Sequence, residues 1–177
     1  PILSRLYSPV AFGSYAIYFA LSSILGTLVI LSMQNAIILE ENDEDALAVL
    51  CATLVPPVVI SGILFAILLL VRPLLTMKFL NGLDKLLLLV PATVLLSSFY
   101  LAGYTWLLRL GRYKILAINR VTLAASTMLL QIGIGLLRLE TLGFIVANMA
   151  GYFLAGLLVY RQIVREAHGR FHCPSFS

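Results

Sequence analysis

The sequence predicts an all-α protein, a bundle of about five helices that span a membrane. Of its 177 residues, 61% are hydrophobic and 11% are charged, and the mean hydropathy is +1.03. A soluble domain carries about 25% charged residues, so this chain has too few to enclose a water-soluble core. The apolar residues also form runs of the ~18 residues or more that indicate a membrane-spanning helix. Helices are the predicted spanning elements, because open sheet edges cannot face lipid.

Five apolar segments follow one another along the chain. Each is long enough to cross roughly 30 Å of hydrocarbon at a rise of 1.5 Å per residue. The predicted segments are residues 12–33, 46–71, 86–108, 115–137 and 141–160. Ser8 is the predicted N-cap of the first helix, and Pro9 suits its first turn, where a missing N–H costs nothing. Cys51 lies inside an apolar run and is interpreted as a small buried side chain.

The positive charges lie mainly between the apolar segments and predict an orientation. One side of the membrane would hold five of them, namely Arg5, Arg72, Lys78, Lys85 and Arg138. The other side would hold seven, namely Arg109, Arg112, Lys114, Arg120, Arg161, Arg165 and Arg170. Because cytoplasmic loops carry the excess of Lys and Arg, the Arg112 side is predicted to be cytoplasmic and the Arg5 side periplasmic. The net charge of +4 does not imply a nucleic-acid partner.

Polar side chains form stripes on three of the predicted helices. At about 100° per residue, one face of the fourth segment carries Arg120, Thr127 and Gln131. The corresponding stripes are Thr93, Ser97, Tyr100 and Tyr104 on the third segment and Tyr15, Tyr18, Ser22 and Gly26 on the first. In lipid, such groups face the bundle interior or a wet cavity. Two interpretations stay open, namely interhelical hydrogen bonds of about 0.6 kcal/mol each and the lining of a substrate path.

Two further features of the helices bear on function and packing. Arg120 is the charge set deepest in an apolar run, and such an arginine costs ~2.5–3.5 kcal/mol at a helix centre, although near the end it can snorkel to the surface. It is therefore a candidate functional residue. In the fifth segment a small residue recurs every four positions, which predicts a close helix-packing seam. The seam residues are Gly143, Ala147, Gly151 and Ala155.

Several short motifs occur in an order that resembles one membrane-protein family. The first is Arg5-Leu6-Tyr7-Ser8-Pro9 followed by Phe12-Gly13, and the second is the passage 34–39 with acidic residues and Ala46 after it. The third and fourth are the aromatic helix end 100–109 with its basic loop 112–114, and Leu-Ala-Ile-Asn-Arg-Val at 116–121. The last is Gln131-Ile132-Gly133 followed by Gly135. Together they resemble the polysaccharide flippases, including O-antigen flippases, of the multidrug/oligosaccharidyl-lipid/polysaccharide exporter superfamily.

The resemblance implies a fold, a function and partners. Residues 1–161 would form a partial flippase-like domain, the N-terminal half of a two-bundle transporter with its first helix largely missing, and residues 162–177 a polar tail outside the fold. The expected function is translocation of a lipid-linked oligosaccharide across the bacterial inner membrane, without enzymatic activity, cofactor or metal. The expected partners are this diphosphate-linked substrate, the bilayer and the missing C-terminal half. The substrate-path candidates are Arg5, Tyr15, Tyr18, Tyr100, Tyr104, Arg120, Thr127 and Gln131.

Two alternative functions remain open from the sequence. A drug or cation antiporter of the same superfamily needs a carboxylate within the membrane, whereas the eight acidic residues of this chain lie in or beside loops. A membrane-embedded glycan polymerase or acyltransferase needs His, Asp or Glu at a helix end. Only Asp84 and Glu140 qualify on the predicted periplasmic side.

Overall fold

The computed structural model describes residues 7–30, 33–39, 43–78, 86–136 and 140–170 of the chain. This part of the chain forms six helices and contains no strand. The helices are α1 (Pro9–Ile30), α2 (Met33–Leu39), α3 (Asp43–Lys78), α4 (Val90–Arg109), α5 (Tyr113–Gly135) and α6 (Glu140–Arg170). The predicted all-α class is confirmed.

Four of these helices are long and apolar enough to cross a membrane, which marks a membrane protein. They are α1, α3, α5 and α6, over Pro9–Val29, Ala48–Val71, Tyr113–Gly135 and Thr141–Arg165. The predicted third segment corresponds to α4, which is not among the four. Hydroxyl-bearing residues are tolerated in α4 because it contacts each of the other five helices described and lies at the centre of the bundle.

Local sequence signals account for two of the helix starts. The backbone N–H of Ala11 donates to Ser8 Oγ at 3.2 Å, so Ser8 caps α1 and Pro9 is its first residue, as predicted. A tight turn joins α4 to α5, with Gly111 at φ 66°, a left-handed conformation that glycine adopts without strain. This turn sets α5 beside α4 and brings the face of α5 that carries Arg120 toward the bundle.

Two details differ from the sequence-based expectations. Helix α6 continues beyond residue 160 to Arg170, and Ile163 packs against the buried clusters around Leu107 and Trp106. The helix therefore passes the domain boundary predicted at residue 161, because the residues that follow are mostly good helix formers. Cys51 is exposed rather than buried, since it lies on the outer side of α3, where the surrounding medium would be lipid.

Candidate functional site

A polar cleft of about 530 Å³ opens between α1, α5 and α6. The predicted polar stripe of α5 forms one wall of it, because positions 120, 127 and 131 fall on one face of a helix. The cleft is lined by Phe19, Arg120, Leu123, Ala124, Thr127, Met128, Gln131, Asn148 and Tyr152. We call it the polar cleft below.

Arg120 lies in this cleft among tyrosines. Its guanidinium carbon is 5.0 Å from the centroid of the Tyr104 ring, a cation–π contact. The Tyr100 ring lies 6.0 Å from Tyr104 and 5.8 Å from Tyr152, and the charge of Arg120 acts on the Tyr100 and Tyr152 hydroxyls. The Tyr100 hydroxyl is buried and has no hydrogen-bond partner among the described residues. This cluster therefore places an exposed cation near a buried hydroxyl, and Tyr100 and Tyr104 do not themselves line the polar cleft.

The four membrane-spanning segments contain no aspartate or glutamate, and neither does α4. No carboxylate on these segments can therefore neutralise the charge of Arg120 within the membrane. An uncompensated cation in a low-dielectric setting attracts anions strongly. The Arg120 end of the cleft is suited to a negatively charged group such as a phosphate.

A smaller cavity of about 150 Å³ joins the polar cleft, since Phe19, Asn148 and Tyr152 line both. Hydroxyl-bearing residues of α1 and α4 line it, including Ser22, Ser23, Thr27, Thr93 and Ser97. Asn148 and Tyr152 were not among the residues predicted from the sequence, although both lie on α6. The available signal was the single amide, Asn148, in the apolar run 141–160, because a polar group in a spanning helix usually has a function.

The predicted tyrosines of α1 occupy two different environments. The Tyr15 hydroxyl accepts a hydrogen bond from Asn148 Nδ2 at 3.0 Å, so Tyr15 supports a residue that lines the cleft. Tyr18 is buried, and its hydroxyl is hydrogen-bonded to the Thr93 hydroxyl, which fastens α1 to α4. Tyr18 therefore lies in the core and does not line either cavity.

Tyr7 contacts the backbone of Gln131, the lining residue of the polar cleft that is farthest along α5 from Arg120. Its hydroxyl donates to the Gln131 carbonyl oxygen at 2.7 Å, and its ring stacks on Phe144 at 3.9 Å between centroids. Burial raises the pKa of the Tyr7 hydroxyl above its usual value of 10.0. Glycines at positions 135 and 143 leave room for the ring, because a Cβ at either would lie about 3 Å from a Tyr7 atom. Arg5 lies outside the described residues.

The predicted packing seam of α6 faces α5. A Cβ at Gly151 would collide with the Thr127 side chain, and a Cβ at Gly143 would lie 3.0 Å from Ile134 Cγ2. All four seam residues are buried. Thr127 lies against α6 while its hydroxyl donates to the Leu123 carbonyl oxygen at 2.7 Å, so it lines the cleft without needing a partner on another helix.

The fold and this cavity define a class, that of polytopic membrane proteins with a polar interior cleft. The family model described as polysaccharide biosynthesis protein matches residues 2–177, so the chain belongs to the polysaccharide biosynthesis protein family. The relationship to polysaccharide biosynthesis proteins that the sequence motifs suggested is thereby confirmed, and the chain has a role in polysaccharide biosynthesis. No curated protein and no solved structure gives a match to this chain.

Proposed function

We propose that this protein translocates a lipid-linked oligosaccharide across the bacterial inner membrane and acts as a transporter rather than an enzyme. The observation that carries the proposal is Arg120, a cation held in a polar cleft whose surrounding spans contain no carboxylate. A diphosphate headgroup loses its hydration when it enters hydrocarbon, and it needs charge and hydrogen-bond donors in exchange. The polar cleft supplies one guanidinium and several hydroxyl or amide groups.

The charge distribution supports a direction of entry. Arg109, Arg112 and Lys114 lie next to the start of α5, and Arg120 follows two turns further into the helix. We infer that these cations attract an anionic headgroup from the Arg112 side toward the cleft, although the acidic residues at 40–45 are predicted on the same side. We assign this side to the cytoplasm and the Tyr7 side to the periplasm. Arg120 then binds the diphosphate in the inward-facing state, and rocking of this bundle against a second one exposes the headgroup to the other side.

A drug or cation antiporter is less compatible with this cleft. Such a transporter requires a carboxylate in a spanning helix as ligand and proton site. Arg120 would repel a cationic drug, and none of the four spans among the described residues contains an acid that could attract one. Of the two residues that an embedded polymerase or acyltransferase would use, Asp84 lies outside the described residues and Glu140 is the first residue of α6.

Substitution of Arg120 tests the proposed function in cells. Arg120→Ala is expected to abolish glycan export, because it removes the cation that replaces water around the diphosphate. Arg120→Lys is expected to retain part of the activity, since lysine keeps the charge but loses the bidentate fork. The measurement is surface glycan per cell at equal amounts of membrane-inserted protein.

Arg165→Ala is the matched control, because Arg165 is exposed near the end of α6 and does not line the cleft. It should export glycan at the parental rate. Parental export by Arg120→Ala would show that Arg120 is only a membrane-surface anchor and would refute the assignment.

A further inference from the structure

The smaller cavity has a chemistry different from that of the Arg120 end of the cleft. We call it the hydroxyl pocket and define it by Ser22, Ser23, Thr27, Thr93, Ser97 and Asn148. No charged residue lines it, and Phe19 and Tyr152 add two aromatic rings at its junction with the polar cleft. Its volume is about 150 Å³, and an engineered protein cavity of that size holds a benzene ring. A bare six-membered ring therefore fits, and the substituents of a sugar ring would extend toward the adjoining polar cleft.

Asn148 has an unused acceptor at this junction. The residue is 9% exposed, its Nδ2 donates to Tyr15 Oη, and its Oδ1 has no partner among the described residues. A buried amide oxygen without a donor is unfavourable, because the group has lost its water without gaining a hydrogen bond. Asn148 lines the hydroxyl pocket, so a ligand hydroxyl or amide N–H that reaches Oδ1 from there would satisfy it. Tyr15 fixes the orientation of the amide, so the acceptor is positioned before the ligand arrives.

We propose that the hydroxyl pocket binds one uncharged sugar ring of the substrate, the ring next to the diphosphate held by Arg120. Asn148 Oδ1 accepts a hydrogen bond from a hydroxyl or acetamido group of that ring, and the α1 and α4 hydroxyls bind the others. This assignment rests on the proposed function. Phe19, Asn148 and Tyr152 line both cavities, so the hydroxyl pocket is adjacent to the polar cleft that contains Arg120.

The same pocket discriminates against acidic sugars. A uronic acid ring would bring its carboxylate into a pocket whose lining contains no cation, and a buried charge without a partner is strongly unfavourable. Arg120 lines the polar cleft but not the hydroxyl pocket, and it is already engaged with the diphosphate. The structure therefore assigns the protein to substrates whose first sugar is neutral.

The test measures binding of three probes to the full chain in lipid nanodiscs by calorimetry. The probes are farnesyl diphosphate, farnesyl diphosphate linked to glucose and farnesyl diphosphate linked to glucuronic acid. The glucose probe is expected to bind about 3- to 10-fold more tightly than farnesyl diphosphate, the gain expected for one net hydrogen bond. The glucuronic acid probe is expected to show no such gain. Equal affinities of the two sugar probes would overturn the proposal.

Two variants are expected to remove the affinity gained from the glucose unit, each in a different way. Asn148→Leu deletes the acceptor, and Gly26→Val places a side chain into the pocket from α1, where a Cβ would lie 3.4 Å from Ser97 Oγ. Both are expected to bind the glucose probe no better than farnesyl diphosphate. Gly62→Val is the matched control on α3, where a Cβ meets no atom within 4 Å, and it should keep the full gain. Retention of the gain in Asn148→Leu and Gly26→Val would also overturn the proposal.

The outcomes separate this inference from the proposed function. If farnesyl diphosphate binds Arg120→Ala as tightly as the parent, the diphosphate site is wrong, while the glucose gain still reports on the pocket. If farnesyl diphosphate binding depends on Arg120 but glucose adds nothing, the pocket assignment alone is wrong. If none of the three probes binds, both are wrong.

Discussion

Tyr7 lies just ahead of α1 and fixes the arrangement of three helices, α1, α5 and α6. Its ring lies between the end of α5 and the start of α6, and its hydroxyl bonds to the backbone of Gln131. Because Tyr7 immediately precedes the cap and first residue of α1, these contacts tie that helix to the α5–α6 pair. Gln131, to which Tyr7 bonds, also lines the polar cleft.

Removal of the Tyr7 hydroxyl is expected to destabilise the protein modestly. Tyr7→Phe deletes a hydrogen bond worth about 0.5–1.5 kcal/mol but leaves the stacked ring in place. The raised pKa means that the folded state holds the phenol proton more tightly, so this contribution is complete below the unfolded pKa of 10.0 and declines as pH rises further. Thermal unfolding in detergent at neutral pH measures the loss. Tyr113→Phe, at an exposed tyrosine, is the control, and equal unfolding temperatures for both variants would contradict the account.

Some individual residues of the polar cleft could be predicted from the sequence, and others could not. Arg120, Thr127 and Gln131 were found because helical periodicity alone places them on one face. Asn148 was missed because its importance depends on where Tyr15 lies, and that contact joins residues 133 positions apart. Tyr18 belongs to the predicted stripe of α1, but its hydroxyl bonds to Thr93 in the core. The stripe is wider than the cleft, so some of its residues pack against other helices while others line the cleft.

The α5–α6 pair shows how small residues control a helix interface. Gly151 faces Thr127 with no space for a side chain, and Asn119 Nδ2 donates to the Ala155 carbonyl oxygen at 3.1 Å. Close approach lets a side-chain amide reach the backbone of the neighbouring helix, which small residues favour in membranes. The four-residue recurrence in the sequence was sufficient to predict this interface. It was not sufficient to identify the partner helix, which depends on the tight turn at Gly111 and the packing of α5.

Gly151→Leu is expected to weaken this interface. The added side chain must displace Thr127, and overpacking of this kind costs about 1–3 kcal/mol. The measurement is the unfolding temperature in detergent together with the amount of protein in the membrane. Gly156→Leu provides a control on the same helix, because a Cβ at Gly156 meets no atom within 4 Å. A Gly151→Leu protein as stable as the Gly156→Leu protein would show that the seam does not carry the α5–α6 contact.

For the whole molecule, composition predicted the class correctly. It predicted the number of spans only approximately. Five apolar segments were expected, and four helices have the hydropathy of a span. The difference lies in α4, whose hydroxyl groups are compatible with a membrane because its neighbours bury them. The arrangement of the cleft among α1, α5 and α6 could not be read from hydropathy at all.

The orientation can be tested at the two ends of α5. In a variant in which both native cysteines are replaced, Leu136→Cys and Tyr113→Cys place single thiols at exposed positions on opposite ends of this helix. A membrane-impermeant maleimide added to intact cells is expected to label Leu136→Cys and not Tyr113→Cys, because the basic loop is proposed to be cytoplasmic. Permeabilised cells, in which both should react, provide the control. Labelling of Tyr113→Cys alone from outside would reverse the proposed topology.

Translocation by the purified protein in liposomes tests most directly whether the protein moves a lipid-linked oligosaccharide across a bilayer and depends on Arg120 to do so. A lipid-linked diphosphate oligosaccharide with a neutral first sugar is supplied on one leaflet, and its arrival on the other is measured by the access of an impermeant glycosidase. Liposomes with the parental protein are expected to equilibrate the two leaflets, whereas those with Arg120→Ala should match protein-free liposomes and those with Arg165→Ala the parent. Equal translocation by the parent and Arg120→Ala, or none by the parent above protein-free liposomes, would contradict the account.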